Sequence, residues 1–561
     1  VKILDANAEN LDLNETIEKI KIFNHNLVNI IVYGLHPSAS TPLMPVIGKL
    51  TEELKIKYPE LKIILTGLHP SALPERTMKE EKCDFVADGE GFYTLLGLLE
   101  KREISKIPGL WYRDRNEIKS NPRAELIKNL DEELPEVAWD LLPMAKYRAH
   151  NWQCLENPNN RMNYASISTT LGCPFNCSFC CINIPFEKRS YRKWSVDWAI
   201  KQIDLLVNTY GVKNLKIIDE LFVLDPEHFL GLAKKIIERG YKLNIWAYAR
   251  IDTIKEEDLK LLKKAGFNWL AVGIESGNEE IRQGSQKGAF KTKEVIEAVK
   301  KIHDNGIHVM GNYVFGLPED NLKTMQETLE LAKELNCEYV NMYCAMAYPG
   351  SQLYEYAKQN NLPLPENTVG WIGYSQHSYE TLPLGTKYLS SAEVLRFRDN
   401  AFNEYFTNKK YLEMIEKKFG VDARKHIEEM NKIKLKREIL GDMKNKEMEK
   451  LKQEMINFEE DIRELWESGK VRGPVHLVGG NEEQLIEIFK QVKPQDWVFS
   501  THRSHYHAFL KGVPKEWIKQ EILNSRSISL YHKDYNFFTS AIVGGVTPIA
   551  LGVAKAIKLK N

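Results

Sequence analysis

Hydrophobic and polar positions alternate in two regimes along the chain and then lose that order. Over residues 1–100, short apolar runs at Val1–Leu4, Val28–Tyr33, Lys62–Thr66 and Phe85–Ala87 predict strands, and Pro45–Lys57 predicts a helix between two of them. Gly34, Pro37, Gly67 and Pro74 punctuate the junctions. Continuous apolar strands joined by helices predict a parallel sheet covered on both faces. Residues 101–160 carry Pro108–Gly109, Asn121–Pro122 and several aromatic side chains, and read as a connector packed against its neighbours.

From Tyr164 the alternation resumes and repeats. Strands are predicted at Tyr164–Thr170, Leu215–Ile218, Leu243–Tyr248, Trp269–Ile274, His308–Phe315 and Tyr339–Ala345. Among the intervening helices, Pro226–Arg239 has Asp225 as its cap and Pro226 at its first position, and Glu256–Ala265 stops at Gly266. Units of roughly thirty residues are βαβ repeats. Six are too few for a closed eight-fold barrel, so the pattern predicts an open partial barrel with its reactive groups at the carboxyl ends of the strands. Residues 371–424 are aromatic-rich and partly helical; Trp371, Tyr374 and Tyr379 suit either a substrate pocket or packing. The charged stretch from about Lys425 to Lys470 reads as a solvated helix or helical hairpin joining domains, and after Gly469 the character changes again.

Composition narrows the function. Acidic and basic residues balance at 77 each, which gives no sign of a nucleic-acid or membrane-surface partner. No apolar run is long enough to span a bilayer, and no signal peptide is seen. The chain opens directly in VKILDA and closes in an apolar helical run, so both ends read as cut. Eight cysteines are present, and four of them (Cys173, Cys177, Cys180 and Cys181) fall within one short loop. That clustering points to metal ligation in a reducing compartment, the cytoplasm by default.

Cys173, Cys177 and Cys180 are spaced C-x₃-C-x₂-C just after the first barrel strand. Three thiolates on one loop suit three irons of a cubane cluster and leave the fourth iron open to a small molecule. Zinc asks for a fourth protein ligand, and adjacent residues such as Cys180 and Cys181 rarely both reach one metal. The stretch, with Phe179 before the last cysteine, resembles the radical S-adenosylmethionine family signature. That resemblance extends over residues 161–365 and implies a 4Fe-4S cluster whose open iron chelates S-adenosylmethionine and yields a 5′-deoxyadenosyl radical. It also implies an electron donor such as flavodoxin or ferredoxin. Gly273-Ile274-Glu275-Ser276 resembles the family's ribose-side motif; Gly316-Leu317-Pro318 and Tyr348-Pro349-Gly350-Ser351 are family-like too. Cofactor contacts are therefore expected from Phe179, Glu220, Arg250, Gly273, Glu275 and Ser276, with Arg250 meeting the cofactor carboxylate and Gly273 admitting close backbone approach. The sequence departs from the family after the second strand, where Ile218-Asp219-Glu220-Leu221 replaces a GGE-type motif.

A parallel sheet ahead of such a barrel resembles the cobalamin-binding domain of one radical-enzyme subclass. The stretches carrying this are Gly34–Ser38, Thr66–Ser71 and Asp88–Gly91, with Gly34, Ser38, Gly67, His69 and Glu90 as the expected contacts. By that resemblance the chemistry is methylation of an unactivated centre in a small-molecule substrate. Residues 469–561 resemble the alpha subunit of thiamine-diphosphate-dependent 2-oxo-acid dehydrogenases, through Gly469–His476, Asp496–Phe499, His502–His505 and Ile542–Pro548. This implies diphosphate or pyrimidine contacts at Arg503, His505 and Gly544 and a beta-subunit partner, although the GDG…N metal and diphosphate motif is absent. The expected organisation is α/β throughout. A partial flavodoxin- or Rossmann-like cobalamin domain (1–105) and a connector (106–160) precede an open partial (β/α)6 barrel (161–365). A helical extension (366–440) and a partial thiamine-binding-like domain (441–561) follow.

Overall fold

The computed structural model describes residues 1–23, 25–33, 39–542 and 544–560. The chain divides into two compact units, Val1–Leu435 and Lys436–Asn561.

The first unit opens with a five-stranded sheet in the order β1 (Leu27–Val32), β2 (Lys62–Gly67), β3 (Phe85–Ala87), β4 (Leu110–Asp114), β5 (Glu117–Ser120). The first three strands are parallel; β4 and β5 form an antiparallel hairpin on β3. The expected connector thus supplies two strands, and the sheet is mixed instead of wholly parallel. The hairpin turns through Arg115 at φ +57 without the Asn-Gly or Asp-Gly pair that marks such turns in a sequence. Val1–Leu4 forms no strand, contrary to expectation: the run is too short, and Leu4 instead packs on the core around Ile17, Leu54 and Ile63.

The second sheet has six parallel strands in sequential order: β6 (Tyr164–Ile167), β7 (Asn214–Ile217), β8 (Asn244–Arg250), β9 (Phe267–Glu275), β10 (His308–Phe315) and β11 (Tyr339–Cys344). Ordinary chemistry sets the flanking helices: Ser195 caps Val196–Tyr210 at Trp198 N, and Gly211 ends that helix at φ +64. β6 and β11 do not pair, so the barrel is open, as the repeat count predicts. The helical extension covers the free edge of β11. Gln376 pairs with Cys344 N and O at 2.9 Å each, and Arg398 Nε donates to Met342 O at 2.7 Å. At the opposite end, Trp152 of the turn Asn151–Cys154 packs against Trp246, Trp269 and Tyr339 with ring centroids 5.6, 5.6 and 5.8 Å away. Those three residues lie two or four positions before Tyr248, Gly273 and Asn341 of the barrel mouth and so share their inward face, and Trp152 forms the barrel floor.

In the second unit, helix Asn445–Glu467 buries Met448, Met455, Phe458 and Ile462 in the unit's own core. The charged stretch expected to be a solvated joining helix is therefore largely a core element: its apolar positions recur at helical spacing beneath the charges. Three short strands, Val498–Ser500, Tyr531–His532 and Phe537–Thr539, make a small mixed sheet. Among the described residues, no helix is long and apolar enough to cross a membrane.

Candidate active site

The cysteine loop is anchored before it begins. Asp219, fully buried after β7, accepts from Thr169 N at 2.5 Å, Thr170 N at 3.0 Å and Thr169 Oγ1 at 2.6 Å. Burial nevertheless pushes its carboxyl up to about 6. Gly172 follows at φ +85, where a Cβ would lie 2.4 Å from Ser190 O, so only glycine lets the chain pass Ser190 as it enters the loop. Within the loop, Asn183 accepts from Cys173 N (3.4 Å) and donates to Phe175 O (3.1 Å), while Ser178 N bonds Ser285 O at 3.0 Å.

Cys173, Cys177 and Cys180 line one cavity of about 350 Å³ with Phe179, Glu220, Arg250, Gly273 and Glu275, at the carboxyl ends of the strands. All three thiols are free. Among the described residues no three His, Cys, Asp or Glu side chains converge on a single ion position. A cubane spreads three thiolates over three irons and asks for no such convergence. Burial pushes the Cys173 thiol up. Cys180 faces the cavity and keeps accessible surface, while dense surrounding protein and neighbouring thiols push its thiol well up. Glu220 Oε2 is buried without a hydrogen-bond partner, and burial lifts this carboxyl to about 7.

Glu275 ends β9 at φ +64, a strained conformation for a residue with a side chain, beside a register shift between Gly273 and Glu275. Its carboxylate accepts from the buried Lys287 Nζ at 2.7 Å. Burial alone would lower the Lys287 ammonium; Glu275, with Cys177 beside it, more than offsets this and leaves it raised. A Cβ at Gly273 would lie 2.3 Å from Lys287 Nζ and 2.5 Å from Glu275 Oε1, so this glycine makes room for the ion pair. That is a different role from the close cofactor approach expected of it. Ser276 does not join the cavity lining: it is buried beside Thr328 Oγ1 at 3.2 Å and accepts from Asn278 N at 3.1 Å, as a turn anchor.

The expected cobalamin contacts are differently placed. Gly34 and Ser38 lie outside the described residues. Gly67, at φ +125, is required by β1, since a Cβ would lie 2.4 Å from Val32 O. His69 is buried edge-on against Trp371, with Nδ1 3.3 Å from Thr41 Oγ1, and burial holds its imidazole down at about 3. Trp371 is thereby packing between sheet and extension, and the buried Tyr374 stacks beside it. Glu90 binds Arg192 through 2.6 and 3.1 Å contacts and accepts from Ile127 N, tying the sheet to the antiparallel ribbon of Thr170–Leu171 and Arg192–Lys193 that flanks the cysteine loop. In the second unit His505 is buried between Glu459 Oε1 (3.0 Å) and Ser527 Oγ (2.9 Å), Arg503 is exposed, and Gly544 faces open space.

The sequence reading missed Lys287, Tyr248, Asn312, Asn341 and Tyr343, all of which line the cavity. Period-two alternation gave a usable signal for four of them: Tyr248 lies two residues before Arg250, and the others recur on the inward faces of β10 and β11. Nothing local marked Lys287.

A family model described as the radical SAM superfamily matches residues 167–332. An uncharacterized methyltransferase of Pyrococcus horikoshii is 30% identical over 419 residues, covering 73% of this chain and 85% of that protein. The chain belongs to the radical SAM superfamily. Two solved radical SAM enzymes share the fold. One is the radical S-adenosylmethionine methyltransferase TsrM from Kitasatospora setae, solved with cobalamin and a [4Fe-4S] cluster (TM-score 0.52, 18% identity, 70% of this chain and 78% of that one). The other is OxsB, solved with aqua-cobalamin and S-adenosylmethionine (TM-score 0.55, 15% identity, 75% and 65%). A separate model, dehydrogenase E1 component, matches residues 450–561 of this radical SAM chain.

Proposed function

We propose that this radical SAM enzyme transfers a methyl group to an unactivated carbon of a small molecule. In this reading S-adenosylmethionine binds in the barrel mouth and cobalamin lies between that mouth and the sheet's carboxyl edge. The observation that carries the radical half is the convergence of three free thiols, the orphaned Glu220 oxygen and the Glu275–Lys287 pair on one cavity. This donor set fits a cubane with one open iron. When bound and reduced, such a cluster supplies the electron that cleaves the cofactor's sulfonium to a 5′-deoxyadenosyl radical. Glu220 offers its free oxygen to the methionine ammonium, and Glu275, held by Lys287, accepts from the ribose hydroxyls. Ile218, Leu221, Tyr248 and Met346 wall the cavity against water.

Similar proteins support the methyl-transfer half, and space in this structure supports cobalamin. Just after β1, burial and then the charges of Glu220 and Cys181 push the Tyr33 phenol up. Ser71 and Ala72 of the sheet's carboxyl edge line a polar cavity of about 660 Å³ together with Cys177, Cys180 and Gly350. Gly67, His69 and Glu90 are committed elsewhere and do not fit as cobalamin contacts. A flavodoxin- or ferredoxin-like donor and a cytoplasmic setting complete the reading. Residues 450–561 favour a second reading, a fused fragment of a thiamine-dependent dehydrogenase, on the E1 match alone. The buried His505 does not fit thiamine diphosphate, and no step runs through that cofactor.

Anaerobic reconstitution of the full chain should give about four irons, and reductant should then convert S-adenosylmethionine to 5′-deoxyadenosine. Full iron loading without that cleavage would overturn the radical reading. Cobalamin retention by the full chain, read from its visible absorbance, tests the other half.

A further inference from the structure

We infer that Arg250 is a positioning residue that clamps the cysteine loop and sets the charge around Cys177, and that it is not the partner of the cofactor's carboxylate. Only the redox part of this rests on the proposed function; the clamp stands on contacts within the chain.

Arg250 is the last residue of β8, and its side chain is 7% exposed. Its guanidinium lies 3.7 Å from the centroid of the Phe175 ring, between Cys173 and Cys177 in sequence. Nε and Nη2 each donate to the Asp252 carboxylate at 2.9 Å, Nη2 also donates to Lys287 O at 2.5 Å, and Nη1 stands 4.0 Å from Cys177 Sγ. Arginine has five N–H groups; these contacts take four and leave one on Nη1. The fork that would receive a carboxylate in bidentate fashion is already filled from within the chain. The turn that carries Asp252 is closed by Thr253, whose Oγ1 accepts from Arg250 N at 3.2 Å and donates back to Arg250 O at 3.0 Å. Gly288 keeps the other side clear: a Cβ there would lie 2.7 Å from the Phe290 ring and 3.3 Å from Arg250 Nη2.

One guanidinium therefore joins three segments: the cysteine loop, the turn after β8, and the loop whose Lys287 pairs with Glu275. Its charge and that of Asp252 act on Cys177 with opposite sign. Reduction adds negative charge to a cluster held there, so Arg250 favours the reduced state and Asp252 opposes it.

The test uses the full chain with Arg250→Gln, Arg250→Lys and Asp252→Asn. EPR-monitored redox titration without S-adenosylmethionine should show R250Q shifting the reduced-to-oxidised ratio at fixed potential at least tenfold toward oxidised, about 59 mV for one electron. D252N should move it the opposite way, and R250K should stay near the parent. In chain without iron, amide exchange across residues 174–179 should rise at least tenfold in R250Q. S-adenosylmethionine affinity should change less than threefold. If R250Q instead weakens S-adenosylmethionine tenfold or more while potential and exchange hold, Arg250 is the carboxylate partner and the inference falls. Shifts of the same sign in R250Q and D252N overturn the electrostatic account. If even the parent chain takes up no iron, the proposed function fails, and the exchange result alone still decides the clamp.

Discussion

In the barrel mouth three thiols and an unpartnered Glu220 oxygen face one cavity, whereas in the second unit His505 commits both ring nitrogens to Glu459 and Ser527. Orphan oxygens occur in the second unit too, at Ser504 and Glu459, but in residues 0% and 5% exposed. Both regions carry stretches resembling cofactor-binding motifs. The difference is in disposition: the barrel mouth turns the Glu220 oxygen toward space a ligand can enter, whereas the second unit encloses those of Ser504 and Glu459 in its core. An orphan polar group is expensive to bury, and one beside a cavity is best explained by something that binds there.

The sharpest way to break this comparison is Cys177→Ala, which should reduce bound iron from about four per chain to near background and abolish 5′-deoxyadenosine formation. Retained iron would show that the mouth is not the ligating region. Next is Lys287→Met, which leaves Glu275 buried and unpaired. It should destabilise the first unit by about 3–5 kcal/mol in chemical denaturation, and a loss below about 1 kcal/mol would show the pair to be solvated. His505→Ala should cost the second unit about 1–3 kcal/mol by stranding Glu459 and Ser527. Iron content and S-adenosylmethionine cleavage should not change; altered cleavage would join the two regions functionally.

The smallest effect is one of pH. His69 falls from an ordinary value of 6.5 to about 3 in the folded chain, so the unfolded state binds the proton first. Stability is whole above 6.5 and is lost as pH falls through the window down to about 3. At one pH unit below the upper limit the loss is about 1.4 kcal/mol. Melting of the parent against His69→Gln across pH 7 to 5 should show the gap narrowing toward acid. Parallel curves would mean that His69 is solvated and not packed on Trp371.

Much of this was legible in the sequence because periodicity survives folding. The six barrel strands, their order and the cysteine loop all follow from spacing and alternation. What was not legible depends on contacts distant in sequence. The Leu110–Ser120 hairpin lacks a turn signal, Lys287 acquires meaning only when the chain brings it to Glu275, and Ser276 continues a motif yet turns away from the cavity. Glycines were the least readable. Gly67 and Gly273 are both needed, one for a neighbouring strand and the other for an ion pair, and neither need is visible in a single chain of letters.

Trp152 has a bearing on traffic. Among the described residues an indole closes the strands' starting ends, so a ligand that binds deep in the cavity approaches it from the carboxyl rim. Whatever sits deepest must load before anything that roofs it, and spent fragments must leave in reverse order. Sequence of binding is then imposed by architecture. A smaller residue at position 152 would open the floor beneath the cavity.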